Sequence, residues 1–398
     1  MFSSLNALPA DPLLGLIVAF NQDPNPNKVD LGVGVYRDDS GKTPIFASVK
    51  AAEARAIKAQ ETKTYIGPAG SADYCRLSAE LIFGRDHLVL RDERVSTVQT
   101  PGGCGALRVA AELIKRGKSD VTVWVSDPTW PNHQPLLGDS GLKLNTYPYF
   151  DKVSKGVDFE RMLNCLETVT ANDVVLLHAC CHNPSGADLS QEQWQAIKAT
   201  ALKQGFTVFI DSAYQGFGLG LEQDVYGVRL LAESLPELIV ANSCSKNFGL
   251  YRDRTGSLCI VTNNRAQAQA VQTHVNKIVR GIYSMPPAHG AAIVETLLAD
   301  SELTAQWQRE LAAVRNRIFG LRKSLADTLN ATLDSDHFRF IEQQVGMFSY
   351  LGLNPDQVKQ LREQYSIYMA GDSRINVAGL KQDRIDYVAD AIASLRQA

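Results

Sequence analysis

Between about residues 95 and 265, short apolar runs alternate with stretches whose apolar positions recur at helical spacing. Val121–Ser126, Leu142–Tyr149, Val174–Ala179, Thr207–Ile210, Leu238–Ser243 and Ser257–Thr262 read as strands. Several are continuously apolar, as strands buried on both faces are. Ala106–Lys115, Phe159–Val169, Gln191–Gln204 and Ala266–Val279 read as amphipathic helices between them. The alternation predicts an α/β fold, a large domain with a mostly parallel sheet sandwiched by helices.

After Pro286-Pro287 the pattern changes. A polar, charge-laced helix is expected from Ser301 to about Leu329, with Glu302 suited to its positive end. A smaller α+β domain follows, with strands at Met347–Leu351 and Ile367–Ala370 and a last helix over Asp383–Arg396. Strand-like Val29–Tyr36 is assigned to that domain, because the Gly41-Lys42-Thr43-Pro44 turn separates it from the parallel core. The expected division is an N-terminal arm over 1–13, small-domain segments over 14–43 and 314–398, and a large domain over 44–313.

Composition narrows the function. The 398 residues are 45 % apolar and 21 % charged with a net charge of −3, which argues against a polyanionic partner and favours small-molecule chemistry. Seven scattered cysteines make no disulfide framework and suit a reducing, cytoplasmic setting. The early apolar run Leu13–Phe20 is too short for a membrane span and has no Lys or Arg before it, so it reads as a docking helix.

Four motifs fall at strand ends, where open α/β sheets bind ligands. In Ser243-Cys244-Ser245-Lys246-Asn247-Phe248-Gly249 the lysine can form an imine if its amine is kept neutral; a solvated surface lysine is the plainer alternative. In Asp211-Ser212-Ala213-Tyr214 the acid can keep a pyridine nitrogen protonated and the phenol can reach a ring oxygen, although Asp211 could equally cap a helix. Asn183, in His182-Asn183-Pro184, can donate to the same oxygen or simply make a turn. Gly102-Gly103-Cys104-Gly105 opens a helix and can cradle a phosphate, with Ser243, Ser245 and Arg254 supplying side chains. It is a poor dinucleotide fingerprint, because the third glycine position is Arg108. His178 and His182 flank two cysteines, but no second ligand pair accompanies them and no metal is expected.

Taken together these stretches resemble the pyridoxal-phosphate fold-type-I aminotransferases, specifically the aspartate and aromatic amino acid aminotransferases. The resemblance runs from Pro9–Leu14 through Leu31–Pro44, Thr100–Leu107, Trp124–His133, His178–Gly186, Asp211–Phe217, Ser243–Gly256, Tyr283–Gly290 and Gly346–Ser349 to Arg374–Gly379. It implies pyridoxal 5′-phosphate as cofactor, with Lys246 as the Schiff-base lysine and proton carrier and Asp211 as the ring-nitrogen partner. Tyr214 and Asn183 would meet the ring oxygen, Trp130 would stack on the ring, and His133 would steady Asp211. Gly103, Ser243, Ser245 and Arg254 would hold the phosphate, with Cys104 near the cofactor where the family usually has a hydroxyl. Tyr65 would reach the phosphate of a neighbouring subunit and join Lys246 and Asp211 as a catalytic group, which implies a homodimer with shared sites.

For substrate, the resemblance assigns Arg374 to the α-carboxylate and Arg280 to a dicarboxylate's side chain across the interface. Gly34, Trp130, Asn183 and Phe348 would line the cleft. Thr64 and Met285 stand where aspartate-selective members tend to have asparagine. The expectation is ping-pong amino transfer between aromatic amino acids, aspartate or glutamate and a 2-oxo acid such as 2-oxoglutarate. A strict aspartate aminotransferase is the alternative. Decarboxylation or elimination on the same cofactor fits the paired arginines less well. A cofactor-free imine-forming aldolase leaves Asp211 and Arg254 unexplained.

Overall fold

The computed structural model describes residues 1–8 and 12–395. Part of the Pro9–Leu14 resemblance and of the 1–13 arm, and the expected helix end at Arg396, lie outside the described residues. The chain forms two compact units, one of residues 44–183 and 187–317, the other of 1–43, 184–186 and 318–398.

The larger unit is built on a seven-stranded sheet of β1 (Val95–Pro101), β2 (Thr122–Asp127), β3 (Lys143–Pro148), β4 (Val174–His178), β5 (Thr207–Ser212), β6 (Leu238–Ser243) and β7 (Thr255–Val261), in the order β1-β7-β6-β5-β4-β2-β3. All neighbours are parallel except that β7 runs antiparallel to both β1 and β6. Successive residues of one strand enter different cores. Val174 and Leu176 pack with Phe209, Ile239 and Leu258, while Val175 and Leu177 pack with Val208, Ile210 and Val240. Side chains alternate across a strand, so two covered faces require continuously apolar runs. That is why these strands lack a polar period.

All six strands expected in this region match to within two residues at each end, and all four helices are present. β1 was not expected, and β7 supplies an antiparallel member that the run Ser257–Thr262 did not reveal. The helix expected from Ala106 starts at Gly102, so the glycine turn is itself its first turn.

In the smaller unit, Val29–Asp30 pairs in parallel with Ile367–Tyr368, and Phe348–Tyr350 pairs antiparallel with Arg374–Asn376. The expected strand Val29–Tyr36 is therefore only two residues long, the rest being held by loop bonds such as Val35 N–H to the Val33 carbonyl. Its core gathers Leu31, Leu325, Leu329, Phe338, Leu351, Ile375 and Ile392. Helix Ser301–Leu333 contributes to both units. Among the described residues no helix is long and apolar enough to cross a membrane.

Candidate active site

The sheet order brings the carboxyl ends of β1, β2, β4, β5 and β6 to one edge, together with the amino end of β7. Register fixes the neighbours there. His178 pairs with Asp211, Asn242 with Ser212, Ser243 with Gly256, and Pro101 with Thr255. Residues as far apart in sequence as Pro101 and Gly256 are thus collected at one rim.

Asp211 is 5 % exposed and its Oδ2 lies 3.1 Å from His133 Nε2. The other ring nitrogen of His133 is 2.7 Å from Thr129 Oγ1, so the imidazole is held at both ends. Burial pushes the Asp211 carboxyl up, but the His133 hydrogen bond, with the electrostatic influence of the neighbouring His133, His178 and Lys246 groups, outweighs it. The net result is a carboxyl held below its ordinary range. Trp130 packs edge-on against His133 with ring centroids 5.4 Å apart.

Lys246 follows β6 in a turn closed by Gly249 N–H to its carbonyl, with Gly249 at φ +66°. Trp307 Nε1 donates to the Asn247 carbonyl at 2.7 Å and stacks on Phe248 at 4.5 Å, which anchors the turn from beneath. The lysine Nζ lies 4.8 Å from the Tyr214 ring centroid. Burial lowers its pKa, with Asp211 and Cys104 opposing and Arg254 assisting, so the neutral amine is favoured relative to an ordinary lysine. Asn183 Nδ2 reaches Tyr214 Oη at 3.4 Å. The loop after Tyr214 is pinned by Asp224, whose carboxylate accepts from the N–H groups of Gly216, Gly218, Leu219 and Gly220.

At the β1 end, helix Gly102–Gly117 starts after Pro101 with no side-chain cap and no acidic residue in its first turn. Its free N–H groups and dipole make a site for an anion. Ser243 Oγ donates to Ser245 Oγ at 3.1 Å, and Arg254 Nη1 donates to Ser245 Oγ at 3.2 Å and to the Tyr251 carbonyl at 3.0 Å. A side chain at Gly102 would put its Cβ 2.6 Å from Arg254 Nη2, and one at Gly103 would sit 3.2 Å from Ser243 Cβ. The glycines therefore keep space between the helix end and the hydroxyl–guanidinium group. Cys104 lies in the same turn, its Sγ 3.9 Å from Asn132 Nδ2.

This donor set fits a cofactor carrying a carbonyl, a pyridine nitrogen and a phosphate. A neutral-leaning amine, a buried ionised carboxylate and an uncapped helix end with Arg254 share one sheet edge. Two of the site residues expected from sequence stand apart. Tyr65 is 92 % exposed, and Arg280 is exposed in the last turn of helix Arg265–Ile282, donating to Ser284 Oγ. Neither is hydrogen-bonded to the Lys246 group.

In the smaller unit, Gly34, Phe348 and Arg374 come together. The Arg374 guanidinium lies 4.6 Å from the Phe348 ring centroid and donates to the Gly32 carbonyl at 3.0 Å. A Cβ at Gly34 would be 2.9 Å from Phe348 Cζ.

Sequence reasoning missed Thr129, whose spacing of four to His133 was the available signal. It also missed the surroundings of His178. That ring lies 5.3 Å from His133 and 4.3 Å from His182, with both nitrogens lacking a hydrogen-bond partner among the described residues. Burial, and then His133, push it down to about 3 despite Asp211, so it stays neutral. The ligand neighbours absent from the sequence reading are His133 and Asp211, which group with His178; they are hydrogen-bonded to each other. His182 bonds Ser126 Oγ at 2.9 Å and stacks on Tyr149 at 4.0 Å.

Residues 26–392 match the family model "Aminotransferase class I and II". An aromatic-amino-acid aminotransferase of Paracoccus denitrificans is 47 % identical over 98 % of this chain and 99 % of its own. The aspartate aminotransferase of Escherichia coli is 42 % identical over 99 % and 100 %. A solved aromatic-amino-acid aminotransferase from Burkholderia pseudomallei, covalently bound to pyridoxal phosphate, superposes with a TM-score of 0.97 at 41 % identity over 99 % of each chain. With the site geometry, these likenesses show that the chain belongs to the class I and II aminotransferase family.

Proposed function

We propose that this aminotransferase acts on aromatic amino acids as well as on aspartate and glutamate, as a cytoplasmic homodimer. The observation that carries the catalytic reading is Lys246 Nζ, 4.8 Å from the Tyr214 ring centroid, at the same sheet edge as the His133-held carboxylate of Asp211. Its cofactor is pyridoxal phosphate, which when bound supplies an electron-withdrawing ring that weakens the substrate's Cα–H bond.

The roles of the chain's own residues follow from their chemistry. Asp211 keeps a ring nitrogen protonated, because its carboxylate stays ionised at neutral pH. With its pKa lowered, Lys246 would hold the Cα proton at its Nζ and return one. Ser243, Ser245, Arg254 and the helix start at Gly103 and Cys104 hold the phosphate. Tyr214 and Asn183 would meet the ring oxygen, and Trp130 would pack against the ring. Arg374 takes the α-carboxylate through a planar fork. Tyr65 and Arg280, both exposed in a single chain, are assigned to the site of a second copy.

Breadth of specificity rests on Arg280. Among the described residues no carboxylate forms an ion pair with it, and its hydrogen bond is to the single hydroxyl of Ser284. A cation so lightly held can bind a second carboxylate or move aside for an aromatic ring. The test is kcat/KM for aspartate and phenylalanine with 2-oxoglutarate as acceptor. Values within about a hundredfold support the broad reading, the scale of a few kcal/mol of side-chain recognition. A phenylalanine value lower by about ten-thousandfold or more leaves a strict aspartate enzyme.

A further inference from the structure

The smaller unit holds a cation that none of the roles above uses. Arg322, in helix Ser301–Leu333, is fully buried. Its guanidinium donates to the carbonyls of Ile341 at 3.0 Å, Val345 at 3.1 Å, Gly346 at 2.7 Å and Phe348 at 2.6 Å, and to Ser349 Oγ at 2.7 Å. Ser349 in turn donates to Gln344 Oε1 at 2.6 Å.

Burying a guanidinium is costly unless its donors are met. The reason for one here is the segment 341–349, which turns inward at Gly346, φ +75°, and points several carbonyls at one place. Buried carbonyls need donors, and arginine brings five N–H groups in a rigid plane. Lysine, with three donors on one atom, cannot span the same acceptors.

The consequence falls on Phe348. Its carbonyl is held by Arg322, and its ring is the surface on which the Arg374 guanidinium lies, 4.6 Å from the centroid. Gly34 leaves room for that ring, since a Cβ there would be 2.9 Å from Phe348 Cζ. The plane of Arg374 is therefore set on one side by the Gly32 carbonyl and on a face by a ring whose backbone Arg322 fixes.

We infer that Arg322 is a positioning residue for substrate binding, acting through Phe348 to orient Arg374 toward the carboxylate common to all the amino acids transferred. The inference rests on the reading of Arg374 as the carboxylate clamp. A bidentate guanidinium–carboxylate pair needs its plane aligned, so a loosened Phe348 weakens binding of every substrate alike.

The test uses the holoenzyme and 3-phenylpropionate, an unreactive monocarboxylate, with dissociation constants measured by calorimetry. Arg322→Lys is expected to weaken binding about tenfold, a loss typical of a misaligned charged contact. KM for aspartate and phenylalanine should rise by the same factor, with kcat and the cofactor's absorbance nearly unchanged. Phe348→Leu should do likewise, and the double variant should be no worse than either single one, because both act through one ring. Wild-type affinity in Arg322→Lys, alongside weakened binding in Arg374→Lys, overturns the inference and leaves the clamp standing. So does strict additivity in the double variant. Wild-type affinity in Arg374→Lys overturns the clamp and the inference together.

Discussion

Replacing Gly102 by alanine tests the proposed phosphate cradle at a single atom. The residue sits at φ +70°, where a side chain costs about 1–2 kcal/mol. Its new Cβ would lie 2.6 Å from Arg254 Nη2, 3.0 Å from Cζ and 3.3 Å from Nη1, closer than ordinary contact along most of the guanidinium. Arg254 cannot retreat freely, because Nη1 is bonded to Ser245 Oγ at 3.2 Å and to the Tyr251 carbonyl at 3.0 Å. The group must shift away from the anion site. Loss of one charge-assisted hydrogen bond is worth about 1.5–3 kcal/mol, hence roughly ten- to a hundredfold in affinity for the phosphate-bearing cofactor. The assay is a fluorescence or absorbance titration of stripped protein with pyridoxal phosphate. Gly117→Ala, at the other end of the same helix with nothing within 4 Å of its Cβ, is the control and should bind as wild type. Unchanged affinity in Gly102→Ala would refute the role given to this helix start and Arg254.

Removing His133 should make stability depend differently on pH. The Asp211 carboxyl is held below its ordinary range when folded, so it adds stability above the unfolded value of about 3.9 that is lost as pH falls through the folded value. In His133→Ala burial dominates and the carboxyl rises. Urea unfolding should then show a deficit of about 1.5–3 kcal/mol at pH 7 that begins to shrink as the pH falls through the variant's raised carboxyl value and levels off below the wild type's depressed one; a deficit independent of pH would count against the pair. Arg280→Gln should raise KM for aspartate by about ten- to a hundredfold while leaving phenylalanine within about twofold, the loss of one charged contact. Equal effects on both amino acids would remove Arg280 from side-chain recognition. Ser284→Ala, which frees Arg280 of its hydroxyl partner, should shift the ratio of the two kcat/KM values toward phenylalanine.

The parallel core was legible because two covered faces leave an unbroken apolar signature, as in Val174–Leu177 and Leu238–Ala241. β1 was not, for a physical reason. Its run Val-Ser-Thr-Val-Gln-Thr-Pro mixes apolar and polar residues and ends in proline, and its polar groups find partners distant in sequence, as when Gln99 donates to the Pro287 carbonyl at 2.7 Å. The direction of β7 was equally hidden, since composition carries no sign of strand polarity. Lys246, Asp211, Asn183 and Arg254 could be picked out because each lies in or within a few residues of a strand end at the ligand edge. His178 and Arg322 could not. Each owes its place to partners distant in sequence or to a loop's inward carbonyls, which no local pattern encodes, whereas Thr129 was signalled only by its spacing of four to His133. Arg322 in particular looks in sequence like one more charge on a polar helix.

The most direct test is to trap bound pyridoxal phosphate on the protein with borohydride and map the modified peptide by mass spectrometry. The account predicts a pyridoxyl group on Lys246 and nowhere else, and none retained when aspartate or phenylalanine is added before the reductant. A modification on another lysine, or none with the cofactor in excess, would contradict it.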